Sequence, residues 1–165
     1  MAALHTGCRR RAGGFTIVEL LVTVVIVGIL ASVAFPMAEL TMQRNKEQQL
    51  RRDLVQLREA LDAYKQAADH GRILLAAGES GYPHSLESLV EGVVDAKSPT
   101  GARLYFLRRI PRDPLSTDAQ IPPAATWGKR SYASSAADPK EGVDVYDVYS
   151  LDAGSGLNGI PYRLW

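Results

Sequence analysis

The feature that most constrains this chain is the run FTIVELLVTVVIVGILASVAFPM, residues 15–37, which is apolar except for Thr16, Glu19, Thr23 and Ser32. About 20 such residues cross a bilayer as a helix. Glu19 is the fifth residue of the run. A charged side chain at the bilayer centre costs from roughly 2.5 to well over 10 kcal/mol, so an acid here requires a partner. Arg9, Arg10 and Arg11 precede the run and no acid does. That asymmetry predicts an N-terminus held in the cytoplasm and export of everything after residue 37. Pro36 cannot donate to the carbonyl of Ser32 and is predicted to kink the helix there. Gly28 adds flexibility upstream, at a cost of about 1 kcal/mol relative to Ala.

The periodicity changes character without a break signal. From Met37 to about Ala68 there is no Gly and no Pro. Leu50, Leu54, Leu57, Leu61, Tyr64 and Ala68 repeat at spacings of four and three, one face of an amphipathic helix. Glu47 and Arg51 are spaced for an i,i+4 ion pair. Gly71 is the predicted stop. Residues 15–68 therefore read as one helix of roughly 80 Å at 1.5 Å per residue.

The remainder reads as a small head. YPHSLESLVEG (82–92) predicts a short helix opened near Ser85 and ended by Gly92. YFLRRIPRDPL (105–115) predicts a loop. TWGKRSYASS (126–135) and VDVYDVYSL (143–151) predict strands joined as a hairpin through the turn ADPKEG (137–142). Tyr162, Leu164 and Trp165 are predicted to pin the Gly-rich tail to the head. The fold class is α+β: a long N-terminal helix, transmembrane then amphipathic, and a small head with a β-hairpin. The divisions are a leader (1–14), a transmembrane stem (15–37), its amphipathic continuation (38–71) and a globular head (72–165).

Composition excludes several functions. Formal net charge is +1, and without residues 1–14 it becomes two negative, which is no nucleic-acid footprint. The one cysteine, Cys8, lies in the leader, so a disulfide framework and a Cys-ligated zinc are excluded. A lipoprotein cysteine would follow the apolar run, not precede it. His5, His70 and His84 are too scattered for a metal triad. Asp144 and Asp147, three apart on a predicted strand, point to opposite faces and make no acid–base pair. There is no nucleophile elbow, P-loop or zinc-protease signature, so no enzyme is expected. Arg108, Arg109, Arg112 and Asp113 read as a solvated surface or an inter-subunit rim.

GGFTIVEL followed by the apolar run resembles the class III signal of type IV pilins and type II secretion pseudopilins. Thr16, Leu20 and Pro36 also stand where that family commonly has them. The resemblance implies cleavage between Gly14 and Phe15 by a prepilin peptidase, then N-methylation of Phe15. It also implies that Glu19 is an assembly determinant. Physically, cleavage exposes an α-amine one turn from Glu19, and the amine of a neighbouring subunit is the better partner. An acid and an ammonium attract far more strongly in a low-dielectric bundle than in water, and either alone would be costly. An ordinary signal peptide, with Ser32-Val33-Ala34 as its cleavage site, fits the run less well. A plain single-pass anchor leaves Gly-Gly-Phe and Glu19 unexplained.

Tyr82-Pro83, the short helix, IPRDP and YDVYSL are similar in order to the major, G-like pseudopilins. Those proteins commonly hold calcium in the loop that follows. Here the loop is SLDAGSGLNG, where Asp152 replaces a usual Gly and Gly154 a usual Asp ligand. Ser150, Asp152, Ser155 and Asn158 are the remaining candidate calcium ligands, and calcium wants six to eight oxygens. No other cofactor is expected. The resemblance implies a structural subunit of a periplasmic pseudopilus that drives protein export. Its expected partners are further copies of itself in a helical filament, other pseudopilins, prepilin peptidase, the inner-membrane assembly platform and its ATPase. The expected location is the inner membrane, single-pass, with the head periplasmic. A type IV pilin or minor pilin, or a membrane-tethered periplasmic binding module, is the alternative.

Overall fold

The computed structural model describes residues 14–165, the side chains of residues 33–36 excepted. His5, Cys8, Arg9, Arg10 and Arg11 lie outside the described residues. Two compact units divide the chain between Met42 and Gln43.

Helix α1, Ile17–Asp69, belongs to both units and runs through Pro36 without losing helical assignment. In the first unit it is apolar on every side and exposed: Ile17, Val18, Leu20, Val24, Val27, Ile29 and Leu30 bury nothing. By length and composition this part suffices to cross a membrane. In the second unit the leucine face is covered as its spacing predicts. Leu50, Leu54, Leu57 and Leu61 are all at most 2% exposed, and Tyr64 and Ala68 are buried beside them.

The end of α1 is a Schellman motif. Gly71, at φ 66°, donates to the Ala68 carbonyl (2.8 Å), and the Arg72 amide reaches the Ala67 carbonyl (2.9 Å). The left-handed turn favours a glycine and sends the chain back over the leucine face.

Helix α2 is one turn, Ser88–Glu91. It starts later than Ser85, and the Ser85 hydroxyl meets the Ser88 hydroxyl (3.3 Å) rather than capping the helix. Its end at Gly92 is as predicted. Strands β1 (Val93–Val94) and β2 (Arg103–Leu104) pair antiparallel, a two-residue ribbon too short to show alternation in the sequence. The loop at 105–115 follows as expected. Strands β3 (Trp127–Arg130) and β4 (Asp147–Ser150) form the expected antiparallel pair, Trp127 opposite Ser150 and Arg130 opposite Asp147. Gly128 faces Tyr149, whose ring would lie 2.3 Å from any added Cβ, so the pairing needs a glycine there.

Both strands are shorter than their sequence pattern: just past β3 the Tyr132 amide turns to the Asp144 carboxylate, and before β4 the Val145 amide turns to the Pro83 carbonyl. Asp144 lies outside β4, which corrects the reading of Asp144 and Asp147 as strand neighbours. Its Oδ1 accepts the Ser131 hydroxyl (2.6 Å) and the Tyr132 amide (2.9 Å), and its Oδ2 accepts the Ser80 hydroxyl. Asp147 instead takes Arg58 (2.8 Å) and Arg130 (3.2 Å). Asp113 is likewise no surface residue. At 2% exposure it accepts the Ser150 hydroxyl (2.5 Å) and the Leu115 amide (2.8 Å), joining the IPRDP loop to β4. The indole of Trp127 donates to the Pro111 carbonyl (2.8 Å) in the same junction.

All of these elements close on α1. Leu86, Leu89, Leu107, Ala124, Trp127, Val145, Val148 and Tyr162 complete one core with its leucine face. The tail is pinned by Tyr162 and partly by Trp165, while Leu164 is 58% exposed and does not contribute as expected.

Burial pushes the Asp144 carboxyl up, but its hydrogen bonds from Ser131, Ser80 and the Tyr132 amide outweigh this and hold it below its ordinary value of 3.8. Its stabilisation is therefore complete above that value and is lost as pH falls through the depressed native one. Asp144→Ala is expected to cost about 1–3 kcal/mol at neutral pH. Denaturant titrations should show the gap from wild type closing as the pH drops below 3.8.

Candidate assembly site

Gly14 and Phe15 precede α1, outside regular structure, and Phe15 is 82% exposed. Thr16 then caps the helix. Its Oγ1 accepts the Glu19 amide (3.2 Å), and its carbonyl accepts the Leu20 amide (3.1 Å). Thr16-Ile17-Val18-Glu19 is thus the spacing of a capping box, with the acid at the third helical position. A carboxylate there also faces the positive end of the helix dipole. The sequence contains this signal in full, although the family pattern alone draws attention to Thr16.

The other polar groups of the apolar run are satisfied within the helix. Thr23 donates to the Leu20 carbonyl (2.8 Å) and Ser32 to the Ile29 carbonyl (2.7 Å), so neither hydroxyl is unpaired in an apolar medium. Glu19 differs: among the described residues its carboxylate has no ion pair. What α1 presents at its start is an exposed apolar helix with one acid, beside the residue at which a new amino terminus would be made.

The calcium candidates do not form a comparable site. Ser150 is fully buried and donates to Asp113. Asp152 Oδ1 accepts the Gly154 amide (2.7 Å), and Asn158 Oδ1 accepts the Ile160 amide (3.0 Å). Ser155 lies opposite Pro161 in an isolated antiparallel bridge, closed by the Gly156 amide on the Ile160 carbonyl (2.9 Å) and the Tyr162 amide on the Gly154 carbonyl (3.1 Å). Among the described residues, no three His, Cys, Asp or Glu side chains gather in a way suited to a metal. A single carboxylate, already turned into its own loop, does not fit calcium.

Arg108 and Arg109 are exposed as predicted, whereas Arg112 donates to the Ile121 carbonyl (2.6 Å) and to that of Asp118. Arg109 and Arg112 line an open groove of about 840 Å³ with Gln49, Asp53, Glu87 and Glu91. Burial pushes the Asp53 carboxyl up despite a hydrogen bond from Gln49 (2.7 Å). His84 bonds the Val143 carbonyl (2.7 Å) and lies 3.3 Å from Glu79, a surface contact with no metal geometry.

With this geometry established, comparison with known proteins defines the class. Residues 9–35 match the prokaryotic N-terminal methylation motif. The chain is 32% identical over 140 residues to the type II secretion system core protein G of Klebsiella michiganensis, covering 82% of this chain and 91% of that one. It is 30% identical over 153 residues to the protein of the same name from Dickeya chrysanthemi, covering 90% and 92%. For the Pseudomonas aeruginosa protein the figures are 31% over 147 residues, covering 85% and 94%. No solved structure matches. The chain belongs to the type II secretion system core protein G family.

Thr16→Ala is expected to fray the first turn of α1, at about 0.5–2 kcal/mol. Amide exchange at Glu19 and Leu20, measured in detergent micelles, should accelerate while exchange in the leucine-faced half stays unchanged.

Proposed function

We propose that Glu19 and the new amino terminus of Phe15 are the two halves of an inter-subunit contact that sets the register of a growing fibre. As a core protein G, the chain is a structural subunit of the type II secretion pseudopilus, which is not an enzyme class. Its apolar N-terminal helix suits it to membrane anchoring. The observation that carries the proposal is the Thr16-capped Glu19 at the start of an exposed apolar helix.

In this reading the precursor enters the inner membrane with its basic leader cytoplasmic and its head periplasmic. Residues 1–14 form the leader, 15–37 the span, 38–71 its continuation and 72–165 the head. Prepilin peptidase cuts between Gly14 and Phe15, and Phe15 is N-methylated. An assembly platform and its ATPase then withdraw the subunit into a helical filament of its own kind, joined by other pseudopilins. Packing of the apolar stems against one another supplies cohesion, since surface that leaves the bilayer must remain out of water. Glu19 supplies registry, since a misplaced subunit leaves two charges unpaired in oil. Pro36 lacks one intrahelical hydrogen bond and lowers the cost of local unwinding on withdrawal. The relatives' name favours the pseudopilus over a surface pilus.

The intact mass of the membrane-extracted protein is expected to show loss of residues 1–14 and gain of one methyl group. A mature chain that begins anywhere but Phe15 overturns the proposal. Glu19→Val is expected to insert normally, as membrane fractionation would report, yet to abolish fibres by electron microscopy. Wild-type fibre yield from that variant would remove Glu19 from the assembly contact.

A further inference from the structure

We infer that Glu47 on α1 is the anchor of the loop at residues 150–165, and that this chain holds that loop without a calcium ion. Glu47 is only 8% exposed. A single oxygen, Oε1, accepts the Leu157 amide (2.8 Å), the Tyr162 hydroxyl (3.0 Å) and the Gln43 side-chain amide (3.2 Å). Gln43 also donates to the Tyr162 hydroxyl (3.2 Å), closing a triangle of Gln43, Glu47 and Tyr162. The spacing of Glu47 and Arg51 predicts an ion pair between them. The structure has none, because the loop takes the carboxylate.

Arg51 has a different task in the same assembly. Its guanidinium lies 4.4 Å from the centroid of the Trp165 ring, a cation–π contact. Trp165 in turn meets Tyr162 edge-on, with centroids 5.1 Å apart. Two turns further along α1, Arg58 donates to the main-chain oxygens of Trp165 (2.7 Å) and Val148 (3.2 Å). Glu47, Arg51 and Arg58 therefore grip the loop from one helix with an anion, a cation over an aromatic ring and a cation that ties the main-chain oxygen of Trp165 to that of Val148 in β4.

The loop needs such a grip. Leu151, Leu157, Ile160 and Leu164 are 44–58% exposed, so apolar burial holds only Tyr162 and part of Trp165. A cation would find one carboxylate here, Asp152, whose Oδ1 already accepts the Gly154 amide, while the Ser150 hydroxyl is turned to Asp113 and Asn158 Oδ1 to the Ile160 amide. Hydrogen bonds to an ionised acceptor are roughly twice as strong as neutral ones. A carboxylate on a rigid helix that collects three of them performs the organising role that a chelated ion performs in an acidic loop. The order is inverted: here the helix brings the charge and the loop brings the donors.

The test uses the processed full-length chain in detergent micelles, with and without Glu47→Ala, in excess EGTA or in about 1 mM calcium chloride. Calorimetry reads the melting temperature, and chymotrypsin cleavage after Leu157, followed by mass spectrometry, reads the loop. The wild type is expected to melt within about 1 °C of the same temperature in both buffers, with Leu157 equally protected. Glu47→Ala is expected to melt about 4 °C or more lower, with cleavage after Leu157 accelerated at least about tenfold below the transition. Tyr162→Phe keeps the ring against Trp165 and removes one donor. It should give a smaller shift of the same sign, and it carries the test if Glu47→Ala does not fold. A calcium-dependent rise in the wild-type melting temperature of several degrees, or calcium protection of Leu157, overturns the inference. So does unchanged cleavage in both variants.

Discussion

Everything beyond Gln43 depends on one strip of hydrocarbon, the leucine face of α1 from Leu50 to Leu61. The head has two short strand pairs, one α-helical turn and two 3-10 turns, too little regular structure to fold around itself. It folds because Leu86, Leu89, Leu107, Trp127, Val145 and Val148 share that strip as a common floor. The helix is equally dependent, since an amphipathic helix derives most of its stability from what its apolar face buries. Neither part is a scaffold for the other.

The head's polar interior follows from this economy of secondary structure. Few backbone groups are paired in ladders, so buried carboxylates take up the rest. Asp113 joins the IPRDP loop to β4, and Asp144 joins the turn before Pro83 to the segment after β3. No buried side-chain polar atom among the described residues lacks a partner. The first unit of α1 manages polarity differently. Thr23 and Ser32 return to helix carbonyls, whereas the Glu19 carboxylate has no ion pair among the described residues.

Much of this was legible in the residues. The four-three spacing of Leu50, Leu54, Leu57, Leu61, Tyr64 and Ala68 gives the buried face because a helix has no other way to align them. Gly71 gives the stop, and the β-rich segments around Trp127 and Val148 give the antiparallel pair. Thr16 and Glu19 spell a capping box. Illegible were the features set by contacts distant in sequence. Local spacing assigns Glu47 to Arg51, yet donors more than a hundred positions away claim it. Asp113 reads as a loop residue between arginines and prolines, and nothing nearby announces Ser150. The two-residue pair β1–β2 is too short for any periodicity, and α2 starts only at Ser88, with no side-chain cap.

The grip of α1 on residues 157–165 has a consequence for the order in which the molecule takes shape. Glu47, Arg51 and Arg58 leave the ribosome early and their counterparts arrive roughly a hundred residues later. Closing so long a loop is slow, because its entropic cost precedes any compensating contact. Until Tyr162 and Trp165 arrive, the helix face keeps an open slot and the chain stays pliable.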